Sequence, residues 1–399
     1  MRWLSDALRI LDDKGLLRTI HDRSADGAAT GDRLSPVGSR IRIGDRGYVN
    51  FGSNDYLGLA GDRRSVESAR EALDRFGAGA GASRLLAGGC DLHRELEYDI
   101  ADFKGAESAV IFNSGYAANT GAIPALAGED TLILSDELNH ASIIDGVRLS
   151  RARRAVYRHR DMDHLSSLLS AAAETRKMVV TDTVFSMDGD IAPLQEICEL
   201  CARHGSLLYL DDAHGTGVLG EGRGALAHFR LSPQPWIIQM GTFSKALGSY
   251  GAFIVASREV TGWLSSTARS FMFSTALPPP VVAASLAAVR ILREDTAAVR
   301  RLWRNRERLA AGLRERGFDI HRSESPILPV TVGDTAATVS LSGELRARNL
   351  YVPAIRPPTV REPRLRITVT ATHSEEDLDL LLAALSEVRG CMRSGASRG

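Results

Sequence analysis

Cysteine is scarce in this sequence: four in 399 residues, too few for the disulfide framework of a small secreted domain. Two of them, Cys198 and Cys201, have the spacing of a redox or metal pair. They also fall, with Leu194 and Ile197, at i, i+3, i+4 and i+7 of PLQEICELCARHG, the apolar stripe of an amphipathic helix. No second CxxC or neighbouring histidine pair completes a ligand set, so a packed helix face is expected and no metal. Net charge is missing too. Forty-nine basic residues balance 49 acidic ones, which leaves no electrostatic footprint for nucleic acid or an anionic membrane and favours a small-molecule partner. No uninterrupted apolar run approaches the roughly 20 residues of a membrane span, and MRWLSDALRILDDKGLLRTI mixes charges where a signal peptide has an apolar core. The expectation is a cytoplasmic protein without internal repeats.

What the chain does have is an ordinary globular composition, 44% apolar and 25% charged, enough for a large core and more than one domain. Residues 2–20 read as an amphipathic helix, followed by a polar connector and a hairpin in IRIGDRGYVNF, with Gly44 to Gly47 at the turn. From residue 51, helical patterns alternate with short apolar runs: AVIF (109–112), TLIL (131–134), MVVTDTVF (178–185), SLLYL (206–210) and WIIQM (236–240). That alternation predicts an α/β fold, a mostly parallel sheet flanked by helices. After the triple proline at 278–280 come strand-like ILPVTV (327–332) and RLRITVT (364–370), with helices near 335–348 and 374–388. The reading is an arm at 1–50, a large α/β domain at 51–285 and a small α+β domain at 286–399. The Arg-rich stretch 300–316, interleaved with acids, reads as a solvated helix face, and the tail GCMRSGASRG as disordered.

Ligands on such sheets sit at the carboxyl ends of the strands, and that is where the polar residues cluster. GTFSKALGSYGAF places Lys245 among small residues between two predicted strands, the setting of a lysine that carries an aldehyde cofactor as an imine. SLLYLDDAHGTGVLG delivers Asp211, Asp212 and His214 just past another strand. Its Gly215, Gly217 and Gly220 spell a dinucleotide fingerprint, but Gly222 and Gly224 interrupt any helix start and no strand-end acid follows at the expected distance. FNSGYAANTGAI puts Ser114 and Gly115 at a helix start, suited either to a simple cap or to a phosphate. LSDELNHASIIDG leaves Asn139 and His140 at a helix entry, and TDTVFSMDGD adds Ser186 and Asp188 at the same level.

Taken together and in order, FGSNDYLGL, GAGASRLLAGG with LHRELE, SGYAAN, NHASIIDG, VFSMDGD, DDAHGTG, TFSKALGSYGA and AIRPPTV resemble the α-oxoamine synthases, pyridoxal 5'-phosphate enzymes of the aspartate aminotransferase fold type. The resemblance covers nearly the whole chain. It implies that Lys245 holds the cofactor and later moves the substrate Cα proton, and that Asp211 pairs with the ring nitrogen. His214 then bonds the phenolic oxygen, and His140 stacks on the ring. Gly115, Tyr116 and Ser186 are further cofactor contacts, while Thr242 and Ser244 reach the phosphate. Ser274 and Thr275 come to it from the neighbouring subunit of a homodimer with shared sites. The implied reaction condenses an amino acid with an acyl thioester and releases thiol and carbon dioxide.

Within the family, the Pro-Pro pair after Arg356 in AIRPPTV resembles the alanine-using branch that takes a pimeloyl thioester on coenzyme A or a carrier protein. Arg356 should bind the amino-acid carboxylate bidentately, and Thr359 and Arg18 match other substrate-contacting positions. The segment TVREPRLRIT is shorter than the family loop before RLR, which keeps a glycine-using relative open as the main alternative; a pyridoxal-phosphate aminotransferase is a second. Cys90, in GGCDLH, reads as a small packed thiol.

Overall fold

The computed structural model describes residues 2–18, 20, 22 and 38–396. It divides into two compact units, one of Asp55–Ser186 with Asp190–Val299, the other of Met1–Asn54, Met187–Gly189 and Arg300–Gly399.

The larger unit is built on a seven-stranded sheet in the spatial order Ser108–Phe112, Ala252–Ala256, Ile237–Thr242, Leu207–Asp211, Arg176–Asp182, Thr131–Asp136, Arg153–Tyr157. The last five pair in parallel; Ala252–Ala256 runs antiparallel to both of its neighbours. Central strands are near-continuous apolar runs because helices cover both faces, and Thr131–Asp136, Ile237–Thr242 and Ala252–Ala256 are buried at every position. The edge strand RRAVY, which no apolar run announces, exposes both arginines and buries only Tyr157, as an edge strand protected by charge does. Leu194, Ile197, Cys198 and Cys201 lie buried along the helix Leu194–His204, so the apolar stripe is a packed face, and burial pushes the Cys198 thiol up to about 11. The helix Pro279–Glu294 belongs to this unit, packed on Arg63–Phe76 and Asp91–Lys104. The division therefore falls at 299/300 in place of the expected 285/286.

In the second unit, Arg40–Ile43 and Arg46–Asn50 form the expected hairpin, with Gly44 at φ 58 in its turn. Leu350–Tyr351 adds to Arg46–Asn50 in parallel, so the first 54 residues group with the C-terminal segment instead of standing apart. A separate antiparallel sheet orders Ile327–Thr331, Arg364–Thr368 and Ala354–Ile355. The N-terminal helix is Arg2–Asp13, and most of the expected connector lies outside the described residues. Helix Glu375–Ala396 continues through most of the tail expected to be disordered; residues 397–399 lie outside the description. On helix Ala297–Glu315, Arg308 is solvated and pairs with Glu375 and Asp379. Arg306 departs from the solvated reading: it is buried and donates to the carbonyls of Ser323 (2.6 Å) and Ser325 (3.3 Å). Among the described residues no helix is long and apolar enough to cross a membrane.

His373 gives this unit an acid-sensitive joint. Its ring stacks on Phe51 at 4.3 Å, donates to the Asn50 carbonyl (3.1 Å) and accepts from the Thr370 N–H (3.0 Å). Burial lowers its pKa to about 4, against the opposing pull of Asp377. An unfolded histidine titrates near 6.5, so between about 6.5 and 4 the unfolded chain binds the extra proton and stability falls as pH falls. The loss approaches on the order of 3 kcal/mol below the folded pKa. His93 in the larger unit, also lowered to about 4 by burial, adds a like amount. Urea midpoints should drop steadily on acidification through that window, and His373→Gln should flatten the slope by about half.

Candidate active site

The larger unit gathers its candidate residues where two strands end level, Asp182 opposite Asp211, beside Met240 of the neighbouring strand Ile237–Thr242. Asp211 is 4% exposed. Its Oδ1 accepts from the Ala213 N–H (3.0 Å) and its Oδ2 from Asn119 Nδ2 (2.8 Å). Asn119, inside helix Gly115–Leu126, spends its other N–H on Ser142 Oγ (2.8 Å) and accepts the Tyr209 hydroxyl at 2.9 Å. Ser142 Oγ lies 2.7 Å from His140 Nδ1, and the His140 N–H donates to Asp182 (2.7 Å). Asp211 and His140 are therefore tied through two side chains that sequence reasoning gave no role. Both sit in quoted motifs, SGYAAN and NHASIIDG, and Asn119 lies one helical turn beyond Gly115, a spacing that could have flagged it.

His140 keeps an open face, yet enough protein surrounds it that burial lowers its pKa; Asp211 pulls the other way and the Lys245 charge adds to the lowering. Asp182 is pushed well up by burial and by the charge of Asp211, with Lys245 opposing. Amine, imidazole and carboxylates thus share one electrostatic neighbourhood. Lys245 is half-buried in a turn closed by Gly248 N–H to the Lys245 carbonyl (2.9 Å), Ser249 to Phe243 (2.8 Å) and Phe243 to Gly251 (2.9 Å). That tight turn explains why Ala252–Ala256 returns antiparallel. Beside it the buried Thr242 hydroxyl donates to the Gly251 carbonyl (2.8 Å) and stands 2.7 Å from the exposed Ser244 hydroxyl.

The other candidates in this unit are held as firmly. His214 is 7% exposed, its Nδ1 2.7 Å from the hydroxyl of the buried Tyr56. Asp212 faces away from Asp211, into Lys104 Nζ (2.6 Å), Thr183 (2.7 Å) and Thr216 (2.9 Å). The glycines of the apparent dinucleotide fingerprint serve that packing. A Cβ on Gly215 would stand 2.1 Å from Asp212 Oδ1, and one on Gly217, at φ +81, 2.4 Å from the Ala246 Cβ. Ser114 caps helix Gly115–Leu126 by accepting from the Ala117 N–H (3.1 Å). Tyr116 is exposed and its hydroxyl bonds Asp145. Ser186 is half-buried. Half-buried Ser274 and exposed Thr275 are anchored by Asn113 Nδ2, which donates to the Thr275 carbonyl (2.8 Å). Cys90 caps helix Asp91–Lys104, its Sγ 3.3 Å from His93 Nδ1.

The remaining candidates lie in the second unit. Arg356 Nη2 donates to the Leu17 carbonyl (2.8 Å), Arg18 Nη2 to the Pro357 carbonyl (3.2 Å), and the Thr359 N–H to the Arg356 carbonyl (3.1 Å). Burial and the neighbouring Arg18 charge both lower the Arg356 pKa, and its Nε is buried with no partner among the described residues. A cavity of about 540 Å³ lies here, lined by Arg18, Arg346, Tyr351 and Arg356 among others. Asp188, also in this unit, pairs with Arg364 at 2.5 Å.

Residues 46–385 match the family described as Aminotransferase class I and II. A protein of Anaeromyxobacter dehalogenans (strain 2CP-1 / ATCC BAA-258) named 8-amino-7-oxononanoate synthase is 46% identical over 389 residues, 97% of this chain and 95% of that protein. A solved structure of SPT, serine palmitoyltransferase, with PLP superposes at a TM-score of 0.88 and 30% identity, covering 96% of both chains. The 8-amino-7-oxononanoate synthase of Francisella tularensis superposes at 0.75 and 26% identity, over 87% of this chain and 99% of that one. These likenesses fix the family: the chain belongs to the class I and II aminotransferases and, within them, to the pyridoxal-phosphate-dependent α-oxoamine synthases.

Proposed function

We propose that this enzyme joins L-alanine to a pimeloyl thioester, carried on coenzyme A or a carrier protein, in the cytoplasm. The products are 8-amino-7-oxononanoate, carbon dioxide and free thiol, a step of biotin biosynthesis. The observation that carries the reading is the 46% identity, over 97% of this chain, to a relative named 8-amino-7-oxononanoate synthase, supported by a strand-end Asp211 whose two oxygens are held by Ala213 and Asn119.

The residues present suit pyridoxal phosphate. A Cβ on Gly115 would meet nothing closer than Met240 Cε at 3.7 Å. Packing of this chain does not demand a glycine there, and the open helix start leaves room for an anion. Gly115, Tyr116, Thr242 and Ser244 would hold the phosphate end, joined by Ser274 and Thr275 of the neighbouring subunit in a homodimer with shared sites. Lys245 would hold the aldehyde carbon, Asp211 the ring nitrogen, His214 and Ser186 the phenolic oxygen, and the open face of His140 the ring.

When bound, the cofactor supplies an electron-withdrawing ring that acidifies the Cα–H of the amino acid joined to it. The chain does the rest. Asp211, with both oxygens held by Ala213 and Asn119, would keep a proton on the ring nitrogen. Once the amino acid has displaced it from the aldehyde carbon, the free Lys245 Nζ would take the proton from Cα and return one to the product. Arg356 binds the alanine carboxylate, which satisfies its buried Nε, and Arg18 and Thr359 contact the substrate beside it.

The test is thiol release. Loaded protein given pimeloyl coenzyme A should liberate coenzyme A only when L-alanine is present. Equal release with glycine, or amino transfer to an oxoacid without any free thiol, would sink the proposal.

A further inference from the structure

One charged cluster of the larger unit lies outside the site just described and borders two of its loops. Asp136, the buried last residue of Thr131–Asp136, accepts from His159 Nδ1 (2.9 Å) and from the Leu138 N–H (2.9 Å), and its Oδ2 accepts from the Arg160 N–H (3.1 Å). Asp190, also buried, accepts from His159 Nε2 (2.8 Å) and Arg160 Nη1 (3.1 Å). Its carbonyl takes the Phe185 N–H (3.0 Å), closing a hairpin whose strands bridge at Val184 and Ile191. The His159 ring stands edge-on to Phe185, 4.4 Å between centroids. Leu138 leads directly into Asn139 and His140, and Phe185 into Ser186.

We propose that His159 is a positioning residue for the cofactor site: an imidazolium clasped between Asp136 and Asp190, it fixes the segment ending in His140 against the hairpin that carries Ser186. The proposal rests on the roles given above to His140 and Ser186. A neutral imidazole has one N–H and serves one carboxylate; the other would face a lone pair at hydrogen-bond distance. Both contacts are made only by the cation.

The surroundings supply the charge balance. Asp136 and Glu137 face the ring's segment from the strand end, Glu137 accepting the His159 N–H (3.3 Å). Arg158 is engaged by Asp161 (2.6 Å), and Arg160 shares Asp190. Arg160 is held at φ 55, in the left-handed region uncommon for a branched or long side chain, by the same two carboxylates. Burial works against the ring's charge; the bonds to Asp136 and Asp190 and their attraction outweigh it and raise the pKa to about 9. The clasp is intact until pH rises through about 9, and its contribution to stability is at full size below the unfolded value of about 6.5.

The experiment compares wild type with His159→Gln, measuring pyridoxal phosphate affinity by visible absorbance from neutral pH to about pH 10. Hydrogen exchange of the cofactor-free protein is read at 136–140 and 185–191. Wild-type affinity should weaken about tenfold across the titration, the loss of roughly one charge-assisted hydrogen bond. His159→Gln should bind about tenfold more weakly already at neutral pH, show no transition near 9 and exchange faster in both segments. Wild-type affinity, pH profile and exchange in the variant would overturn the proposal. If the variant does not fold, NMR titration of the wild-type histidines decides, and the absence of one titrating near 9 overturns it. A wild type that binds no pyridoxal phosphate defeats the cofactor assignment instead, and the exchange arm still judges the clasp.

Discussion

Lys245→Ala should lower alanine-dependent thiol release by at least about 10⁴-fold, because it removes the residue proposed both to anchor the cofactor and to move the Cα proton. The visible absorbance of protein incubated with pyridoxal phosphate should vanish with it. The turn that carries Lys245 is closed by backbone bonds and by the buried side chains of Phe243, Ala246 and Leu247, none of which the substitution touches. Thermal stability should therefore stay near wild type. Lys104 cannot take over, since its ammonium is buried against Asp212 at 2.6 Å. A second readout follows from charge. Lys245 helps to lower the His140 pKa, so the variant should raise it in the cofactor-free protein, visible by NMR. Retained turnover would remove Lys245 from the chemistry, whatever the cofactor does.

Asp211→Asn should keep the visible band and slow turnover by about 10³-fold, the size of effect expected when a preorganised charge is taken from a site that must stabilise developing charge. An amide cannot hold a proton on the ring nitrogen as a carboxylate does. Asn119→Ala tests the support behind it. That change strips one donor from Asp211 and one from Ser142, and leaves the buried Tyr209 hydroxyl without its acceptor, at a stability cost of about 1–3 kcal/mol. Its rate should fall between wild type and Asp211→Asn. Wild-type-like turnover of Asp211→Asn would show that the carboxylate does not govern the ring.

The sheet and the polar residues gathered at its strand ends were legible because buried strands are apolar runs and their polar residues follow at the carboxyl ends. Asp211, His214 and Lys245 are marked in that way. RRAVY carries no such mark, since this edge strand has a single buried position, Tyr157. Pairing across the chain is equally silent in local sequence. Nothing in LY at 350–351 says that it joins the strand Arg46–Asn50, one of the contacts that group the first 54 residues with the C-terminal segment. The support of the site was hidden for a related reason. Asn119, Ser142 and Tyr56 lie inside helices or loops where a polar residue has many ordinary uses, and only the folded chain brings them to Asp211, His140 and His214. Arg306 reverses the lesson: a stretch that reads as solvated hides one guanidinium that is buried on two carbonyls.

The central claim concerns a particular carbon–carbon bond, and product mass spectrometry tests it most directly. Loaded enzyme incubated with ¹³C-labelled L-alanine and a pimeloyl thioester should give 8-amino-7-oxononanoate that has lost the alanine carboxyl carbon, with one thiol released per product. An aminoketone formed from glycine but not from alanine, or labelled pyruvate with no new carbon–carbon bond, would contradict the account.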